Sequence, residues 1–238
     1  MAITTQQLDY SHNNVTMRGF LAHDDTAGAK RPGVLVCHEW WGLNDYIRGR
    51  AKQLAELGYV AFALDMFGDG QTAGDHNEAG KLMQALVTNP DALGRVQAAI
   101  DIIRKQPQCD GDKLAALGYC MGGSMALDMA RAGLPIRGAA AFHAGLKTNT
   151  TAKSPMRAKI LVGVGSEDPM IPPADRQNFE DEMRKAGADW QMIIYGGAKH
   201  AFTNPNADKA GLPPLKYDAA ADRRSWAALT DFLQEIFR

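Results

Sequence analysis

A cysteine between glycines, where a predicted strand meets a predicted helix, is the clearest chemical signal in this sequence. Residues 118–123 read Gly-Tyr-Cys-Met-Gly-Gly, which fits the pattern G-x-C-x-G around Cys120. The serine version of this pattern is a tight turn that projects a nucleophile above the sheet edge, with glycines relieving the crowded backbone. The positive end of the following helix favours a thiolate over a thiol. The pattern predicts Cys120 as a nucleophile, with a buried structural cysteine as the alternative.

An acid and a histidine follow Cys120 in the chain order that such a nucleophile requires. In this arrangement each partner lies just beyond the carboxyl end of a later strand. Asp168 follows the apolar run 159–164, with Glu167 as its rival, and His200 follows the run 190–195. His143 also follows Cys120 but precedes the acid, which is the wrong order. The spacing therefore predicts a triad of Cys120, His200 and Asp168.

The residue types of this triad define one chemistry. The Cys120 thiolate would attack a carbonyl carbon and form an acyl thioester. His200 would move protons, and Asp168 would hold the imidazole tautomer and stabilise its cation. The backbone N–H of Met121 would stabilise the oxyanion, and the N–H of Trp40 is our candidate for the second donor.

The segment that contains Glu39, Trp40 and Trp41 directly follows another apolar run, so we expect it at the same sheet edge as the triad. Glu39 could act there or be an ordinary loop acid. The two tryptophans could cap the core or wall an apolar pocket. We predict that Trp41, His143 and Phe202 line the substrate pocket, and a structural role for His143 stays open.

The elements that must position these residues alternate along the chain. Short apolar runs suit strands buried on both faces, and three- and four-residue apolar spacing predicts the helices between them. Strands are predicted at 33–38, 59–64, 113–119, 138–143, 159–164 and 190–195, with an edge strand at 15–22. Helices are predicted at 45–57, 77–87, 91–105, 121–132, 174–185 and 219–237. The pattern predicts one α/β domain over residues 1–238, with a mostly parallel sheet flanked by helices and lid-like loops near 66–77 and 203–214.

Composition excludes several classes of protein. The 238 residues carry 26 Lys and Arg against 27 Asp and Glu, so the basic excess that nucleic-acid binding needs is absent. No apolar run approaches the roughly 20 residues that span a bilayer. The first 14 residues are polar, unlike a signal peptide, and three cysteines are too few for a disulfide scaffold. We expect a cytoplasmic protein with neither a membrane nor a nucleic-acid partner.

Motifs for bound cofactors are also missing. The glycines at 68, 70 and 74 have the wrong spacing for a dinucleotide fingerprint. Neither C-x-x-C nor H-E-x-x-H occurs, so the sequence predicts no metal. We expect no cofactor, and the sequence leaves the oligomeric state open.

Four motifs together resemble the dienelactone hydrolase family of α/β-hydrolases. They are H-E-W-W-G-L-N at 38–44, G-Y-C-M-G-G at 118–123, the acid Asp168, and G-x-x-x-H-A-F-T at 196–203, and the resemblance runs over about residues 15–237. It implies the α/β-hydrolase fold and a triad of Cys120, His200 and Asp168. It also implies that Glu39 contacts the resting thiol and helps to generate the thiolate when substrate arrives.

The chain departs from this family where dienelactone-cleaving members resemble one another in holding the substrate carboxylate with arginines. Asn204 stands four residues after His200, where one such arginine would be, and residues 66–90 contain no arginine. A site without a bidentate cation should hold a small anion poorly. We therefore expect a small-molecule ester or lactone other than dienelactone, and the tryptophan pair favours an apolar or aromatic one.

A second hypothesis belongs to a different class. The hydrolase fold could serve as a non-catalytic ligand-binding or redox-sensing protein in which Cys120 is an oxidisable thiol. A sensor needs no acid and histidine in the correct chain order, so the complete triad favours the enzyme.

Overall fold

The computed structural model describes residues 2–26 and 28–238, whose internal contacts divide the chain into two compact units, Met1–Leu117 and Gly118–Arg238. The N-terminal unit contains β1 (Ile3–His12), β2 (Val15–Asp24), β3 (Arg31–Cys37), α1 (Asp45–Glu56), β4 (Val60–Ala63), α2 (His76–Val87), α3 (Ala92–Arg104) and most of β5 (Cys109–Tyr119). The C-terminal unit contains α4 (Met121–Arg131), β6 (Gly138–Phe142), β7 (Lys159–Gly165), α5 (Pro173–Lys185), β8 (Trp190–Tyr195), a short 3-10 helix (Ala207–Ala210) and α6 (Ala219–Ile236). The prediction of one domain stays a prediction.

The N-terminal unit begins with a hairpin that the apolar pattern did not predict. Asn13 and Asn14 join β1 to β2 with φ of 46° and 64°, the left-handed pair that a two-residue hairpin turn requires. The strand order here is β1-β2-β4-β3-β5, so β2 is an inner strand, and the prediction of an edge strand at 15–22 is wrong. The edge is β1, whose side chains are mostly polar and exposed, with only Tyr10 buried. Such a strand contains no apolar run from which it could be predicted.

The inner strands of this unit have the buried apolar character that the sequence indicates. β3 and β4 pair in parallel, and β2 pairs antiparallel to β4. Val34, Leu35 and Val36 of β3 are fully buried, as expected for a strand covered on both faces. The Asn44 side chain accepts a hydrogen bond from the Ile47 N–H and caps α1.

The first predicted lid-like loop, 66–77, makes several contacts within the N-terminal unit. The buried Asp65 carboxylate accepts hydrogen bonds from the backbone N–H groups of Gly68 and Gly70, each at 2.8 Å. The Ala73 N–H donates to the carbonyl of Trp41 at 3.0 Å, and α2 already begins at His76. A lid role for this loop stays a prediction.

The C-terminal unit repeats a strand–helix pattern. The end of β5 is followed by β6, β7 and β8 in spatial order, and the pairs β6/β7 and β7/β8 are parallel. Helix α4 packs on β6, and α6 packs on β6 and β7. Each of these helices lies within one residue of its predicted bounds, because its apolar face and end signals are both local in sequence.

Parallel strand pairs connected by helices confirm the predicted α/β class with a mostly parallel sheet. Within residues 2–26 and 28–238, no helix combines the length and the hydropathy needed to cross a bilayer.

Candidate active site

Cys120 occupies a strained turn between β5, which ends at Tyr119, and α4, which begins at Met121. Its φ of 53° and ψ of −124° lie in a region that a non-glycine residue rarely adopts. The Cys120 N–H donates to the carbonyl of Phe142 at 3.0 Å and so ties the turn to β6. A Cβ atom on Gly118 would overlap the Gly122 carbonyl, which explains why this position needs glycine. The local geometry is that of a sharp strand-to-helix turn, and the role of Cys120 as nucleophile stays a prediction.

The three thiols of the chain differ in their surroundings. Cys120 is partly exposed, whereas Cys37 and Cys109 are fully buried. Burial raises the pKa of both buried thiols to about 12, with Asp110 adding to the effect at Cys109. Cys120 is thus the one cysteine of the three that meets solvent.

Asp168 and His200 meet in the C-terminal unit as the spacing predicts. The Nδ1 atom of His200 lies 2.8 Å from Oδ2 of Asp168, and both residues are buried. The other carboxylate oxygen of Asp168 accepts a hydrogen bond from the Met170 N–H at 2.8 Å. Glu167, the alternative acid, is exposed. This geometry favours Asp168 as the partner of the imidazole.

The surroundings of His200 strongly favour its protonated form. Burial alone lowers the pKa of this imidazole. The neighbouring Cys120 side chain and the hydrogen bond with Asp168 outweigh burial and raise the pKa from 6.5 to about 10. Among the described residues, the buried Nε2 atom of His200 has no hydrogen-bond partner of normal geometry.

The backbone of His200 is held by the far end of the second predicted lid-like loop, 203–214. The His200 N–H donates to the carbonyl of Pro214 at 3.2 Å, and its carbonyl accepts from the Lys216 N–H at 3.0 Å. Ala201, the next residue, has a φ of 59° and opens a tight turn. A lid role for this loop also stays a prediction.

The predicted pocket residues of the C-terminal unit lie beside the imidazole. The ring of His143 packs edge-to-face on the ring of His200, with 5.2 Å between centroids, and on the ring of Phe202 at the same distance. Both His143 and Phe202 are fully buried. His143 therefore packs directly on the imidazole and Phe202 packs on His143, and the role of both residues as pocket lining stays a prediction.

The predicted oxyanion donors lie in different units. Met121 is the first residue of α4, so its N–H is one that the helix does not use. Trp40 is partly exposed in the N-terminal unit, where its ring packs on that of Trp41 with 5.0 Å between centroids. The oxyanion role of Met121 and Trp40 and the pocket role of Trp41 stay predictions.

Glu39 is buried in the N-terminal unit, only 2% exposed, which excludes an ordinary surface acid. Its carbonyl lies 2.6 Å from Nδ1 of His38, and Nε2 of His38 accepts from the Met66 N–H at 3.1 Å. Burial lowers the pKa of His38 to about 4, so this imidazole is a neutral structural group. The carboxylate role of Glu39 stays a prediction.

Asn204, four residues after His200, is a structural residue. It is buried, and its side-chain oxygen accepts a hydrogen bond from the Asn206 N–H at 2.9 Å. A turn residue in this place supplies no cation for a substrate carboxylate.

Sequence reasoning missed Thr203. Its hydroxyl lies 2.7 Å from Nε2 of His143, and the residue is buried. The motif H-A-F-T at 200–203 contains this threonine, but the sequence gives no sign of its partner, which lies 60 residues earlier.

No set of three or more His, Cys, Asp or Glu side chains is arranged to hold a metal ion in residues 2–26 and 28–238.

Comparison with known proteins decides the family. The model of the dienelactone hydrolase family matches residues 17–237, which is nearly the whole chain. The chain belongs to the dienelactone hydrolase family. Its activity is accordingly that of an ester or lactone hydrolase that acts on a small-molecule substrate.

Two curated proteins are similar to the chain over most of their length. The chain is 28% identical to a putative carboxymethylenebutenolidase of Aquifex aeolicus, with 98% of this chain and 99% of that protein covered. It is 31% identical to a probable 2-oxo-3-(5-oxofuran-2-ylidene)propanoate lactonase of a Bradyrhizobium species, with 84% of each covered.

Among solved structures, the chain is similar to a dienelactone hydrolase-like promiscuous phosphotriesterase from metagenomic libraries. The two are 36% identical with a TM-score of 0.94, and 100% of each chain is covered. A deep-sea metagenome α/β-hydrolase, 16% identical with a TM-score of 0.75 over 98% of each chain, shares the fold alone. The predicted α/β-hydrolase fold is confirmed.

Proposed function

We propose that this protein hydrolyses ester or lactone bonds through an acyl thioester on Cys120, with His200 and Asp168 as the other members of a triad. The observation that carries the proposal is the buried Asp168–His200 hydrogen bond of 2.8 Å beside a cysteine that raises the pKa of the same imidazole. Such a histidine stays protonated at neutral pH and stabilises a thiolate next to it.

Acylation begins with attack of the Cys120 sulfur on the acyl carbon, which forms the S–C bond and moves the carbonyl electron pair onto oxygen. The N–H of Met121, at the start of α4, is a donor for this oxyanion, and the Trp40 N–H is our candidate for a second. As the C–O bond of the ester breaks, protonated His200 gives its proton to the departing alkoxide. Asp168 keeps the imidazole in the tautomer that performs this transfer.

Deacylation reverses the proton movement. Neutral His200 accepts a proton from water, and the resulting hydroxide attacks the thioester carbon. Collapse of this second intermediate breaks the S–C bond and restores the thiolate beside an imidazolium. The product leaves as a carboxylic acid, which loses its proton to the solvent. No further reactant is required.

The substrate that this site supports best is a neutral or aromatic ester or lactone. Asn204 holds a turn where an arginine would bind a carboxylate, and Trp40 and Trp41 offer partly exposed apolar surface. The likeness to a promiscuous phosphotriesterase, 36% identical, makes a neutral phosphotriester a second substrate to test.

An activated aryl ester tests the nucleophile. We expect a burst of chromophore equal to one per chain, followed by slower turnover, because acylation precedes deacylation. Both phases should be lost in Cys120→Ala, and His200→Ala should lose turnover. Turnover that survives in Cys120→Ala would refute the assignment. A panel of neutral and anionic esters, lactones and a phosphotriester then defines the substrate, and a preference for anionic lactones would overturn our argument from Asn204.

Glu39 is proposed to help generate the thiolate. The proposal is supported by its burial and by the H-E-W-W-G-L-N motif that contains it. We expect Glu39→Gln to slow the alkylation of Cys120 by iodoacetamide near neutral pH. An alkylation profile that matches the unaltered protein from pH 5 to pH 9 would refute this role.

The second candidate function, redox sensing by Cys120, rests on the partial exposure of this thiol. A sensor would form a reversible sulfenic acid with peroxide and would show no burst with any ester. The free thiols also fit a reducing compartment, which is why we propose a cytoplasmic location.

A further inference from the structure

His143 is a buried histidine beside the proposed triad that the mechanism above does not use. It follows β6, is fully buried and has a φ of 42°. Its N–H donates to the carbonyl of Gly163 at 2.8 Å, which fixes its backbone against β7. A left-handed backbone at a non-glycine residue costs free energy and persists only where the surroundings hold it, commonly at functional sites.

The imidazole of His143 makes two contacts, one with His200 itself and one with the turn that follows His200. Its ring packs on the ring of His200 at an interplanar angle of 65°. Its Nε2 atom lies 2.7 Å from the hydroxyl of Thr203, which belongs to the turn that follows His200 and lies three residues after it. That turn is tight, because Ala201 has a φ of 59° and its carbonyl accepts from the Asn204 N–H at 2.9 Å. The His143 side chain thus contacts the His200 ring and also the side chain of Thr203, which belongs to the turn that follows His200.

We propose that His143, anchored by Thr203, is a positioning residue that fixes the His200 imidazole for proton transfer to and from Cys120 and the leaving group. The Asp168 hydrogen bond restrains one edge of the ring at Nδ1 and leaves it free to swing about that contact. A second ring packed on it edge-to-face removes this motion. The inference rests on the proposed hydrolytic function.

A residue that only filled space would have a different character. An apolar side chain would fill the volume without burying polar ring nitrogens, which cost free energy unless they are hydrogen-bonded. Here Nε2 of the imidazole and the threonine hydroxyl are both buried and lie within hydrogen-bond distance of each other. The pair therefore keeps one orientation of the His143 ring, and through it one orientation of His200.

Thr203→Val tests the anchor with almost no change in shape, and Thr203→Ser is the matched control because it keeps the hydroxyl. Misplacing a catalytic group by about 1 Å can cost on the order of 100-fold in rate, and a loosened anchor is a smaller fault. We expect Thr203→Val to lower kcat about tenfold with KM little changed, because the substitution loosens the orientation of the His200 ring and leaves substrate binding intact. Thr203→Ser should retain most of the activity.

His143→Phe tests the other half of the pair, because it keeps an aromatic ring but loses the hydrogen bond. If the two residues act as one unit, the double variant should be no slower than the slower single variant. If the fold-loss of kcat in the double variant equals the product of the losses in the two single variants, the two residues act independently, which would contradict the proposal.

A readout independent of turnover separates this inference from the proposed function. The charged or titratable groups that contact or shift His200 among the described residues are Asp168, Cys120 and His143. We expect the pH profile of Cys120 alkylation by iodoacetamide to move in Thr203→Val and not in Thr203→Ser. A moved profile in a protein that shows no ester burst would refute the hydrolytic function and keep the positioning role. An unmoved profile and equal kcat in both variants would overturn the positioning role, as would a fall in melting temperature with no change of profile.

Discussion

His200 connects the parts of the proposed site, because its three neighbours act on different features of one ring. Asp168 bonds to Nδ1, Cys120 shifts its charge equilibrium, and His143 contacts its ring. Burial opposes the protonated form, and Asp168 and Cys120 together outweigh it and raise the pKa to about 10. In the proposed mechanism, the proton that moves during catalysis is thus held on an imidazole that burial alone would leave neutral.

Asp168→Asn is expected to reduce kcat strongly while leaving the fold intact. The amide can still fill the space, but it favours the wrong imidazole tautomer and removes the negative charge. In a serine triad this change costs up to about 10⁴-fold, and we expect a loss of at least about 100-fold here. Steady-state kinetics on the aryl ester measures it. The matched control is the adjacent Glu167→Gln, which removes an exposed carboxylate. Equal losses in both variants would contradict the assignment of Asp168.

The protonation of His200 also predicts how stability depends on pH. Its pKa in the folded protein, about 10, lies above the ordinary value of 6.5, so the folded state binds the proton more tightly. This contribution to the free energy of unfolding is complete below pH 6.5 and declines as pH rises through about 10. We expect the unaltered protein to exceed His200→Gln in stability more at pH 7 than at pH 10. Urea unfolding of both proteins at the two pH values measures this, and a difference that grows with pH would contradict it.

The turn between β5 and α4 determines the position and the accessibility of the Cys120 thiol. Its positive φ places the side chain at the start of a helix, and the Cys120–Phe142 backbone hydrogen bond fixes the turn on β6. Glycine at 118 lets the strand and the helix approach closely. The element, rather than any single side chain, makes the thiol partly accessible.

Gly118→Ala is expected to destabilise this element severely. The new methyl group would overlap the Gly122 backbone, which cannot move without shifting the helix. We expect a loss of about 3 kcal/mol in the free energy of unfolding, in the upper range for overpacked sites. Gly80→Ala in α2 is the matched control, since its methyl group meets nothing within 4 Å and alanine favours a helix by up to about 1 kcal/mol. Chemical denaturation should therefore show that the free energy of unfolding falls in Gly118→Ala and rises in Gly80→Ala. Equal changes in the two variants would refute the packing argument.

At the scale of the whole molecule, the sequence predicted the parts whose signals are local or ordered along the chain. The buried residues 33–37 of β3 and 160–165 of β7 are apolar throughout. Chain order after Cys120 pointed to His200, which lies 2.8 Å from Asp168. β1 was missed because its polar residues show no buried face, although the Asn13-Asn14 pair marks its hairpin. The contact of His143 with Thr203 was missed because no local pattern links residues 60 positions apart.

Because the three thiols are unequally buried, titrating the accessible thiol of the native protein can measure the number of functional sites in a preparation. A coloured disulfide reagent should modify one thiol per chain quickly in the native protein and three after denaturation, because Cys37 and Cys109 are sealed inside and Cys120 is not. Absorbance measures both numbers, and two fast equivalents would contradict the described burial. If Cys120 is the nucleophile, the fast equivalent and the ester burst must agree in every preparation. Partly oxidised stocks can then be compared per functional site rather than per milligram.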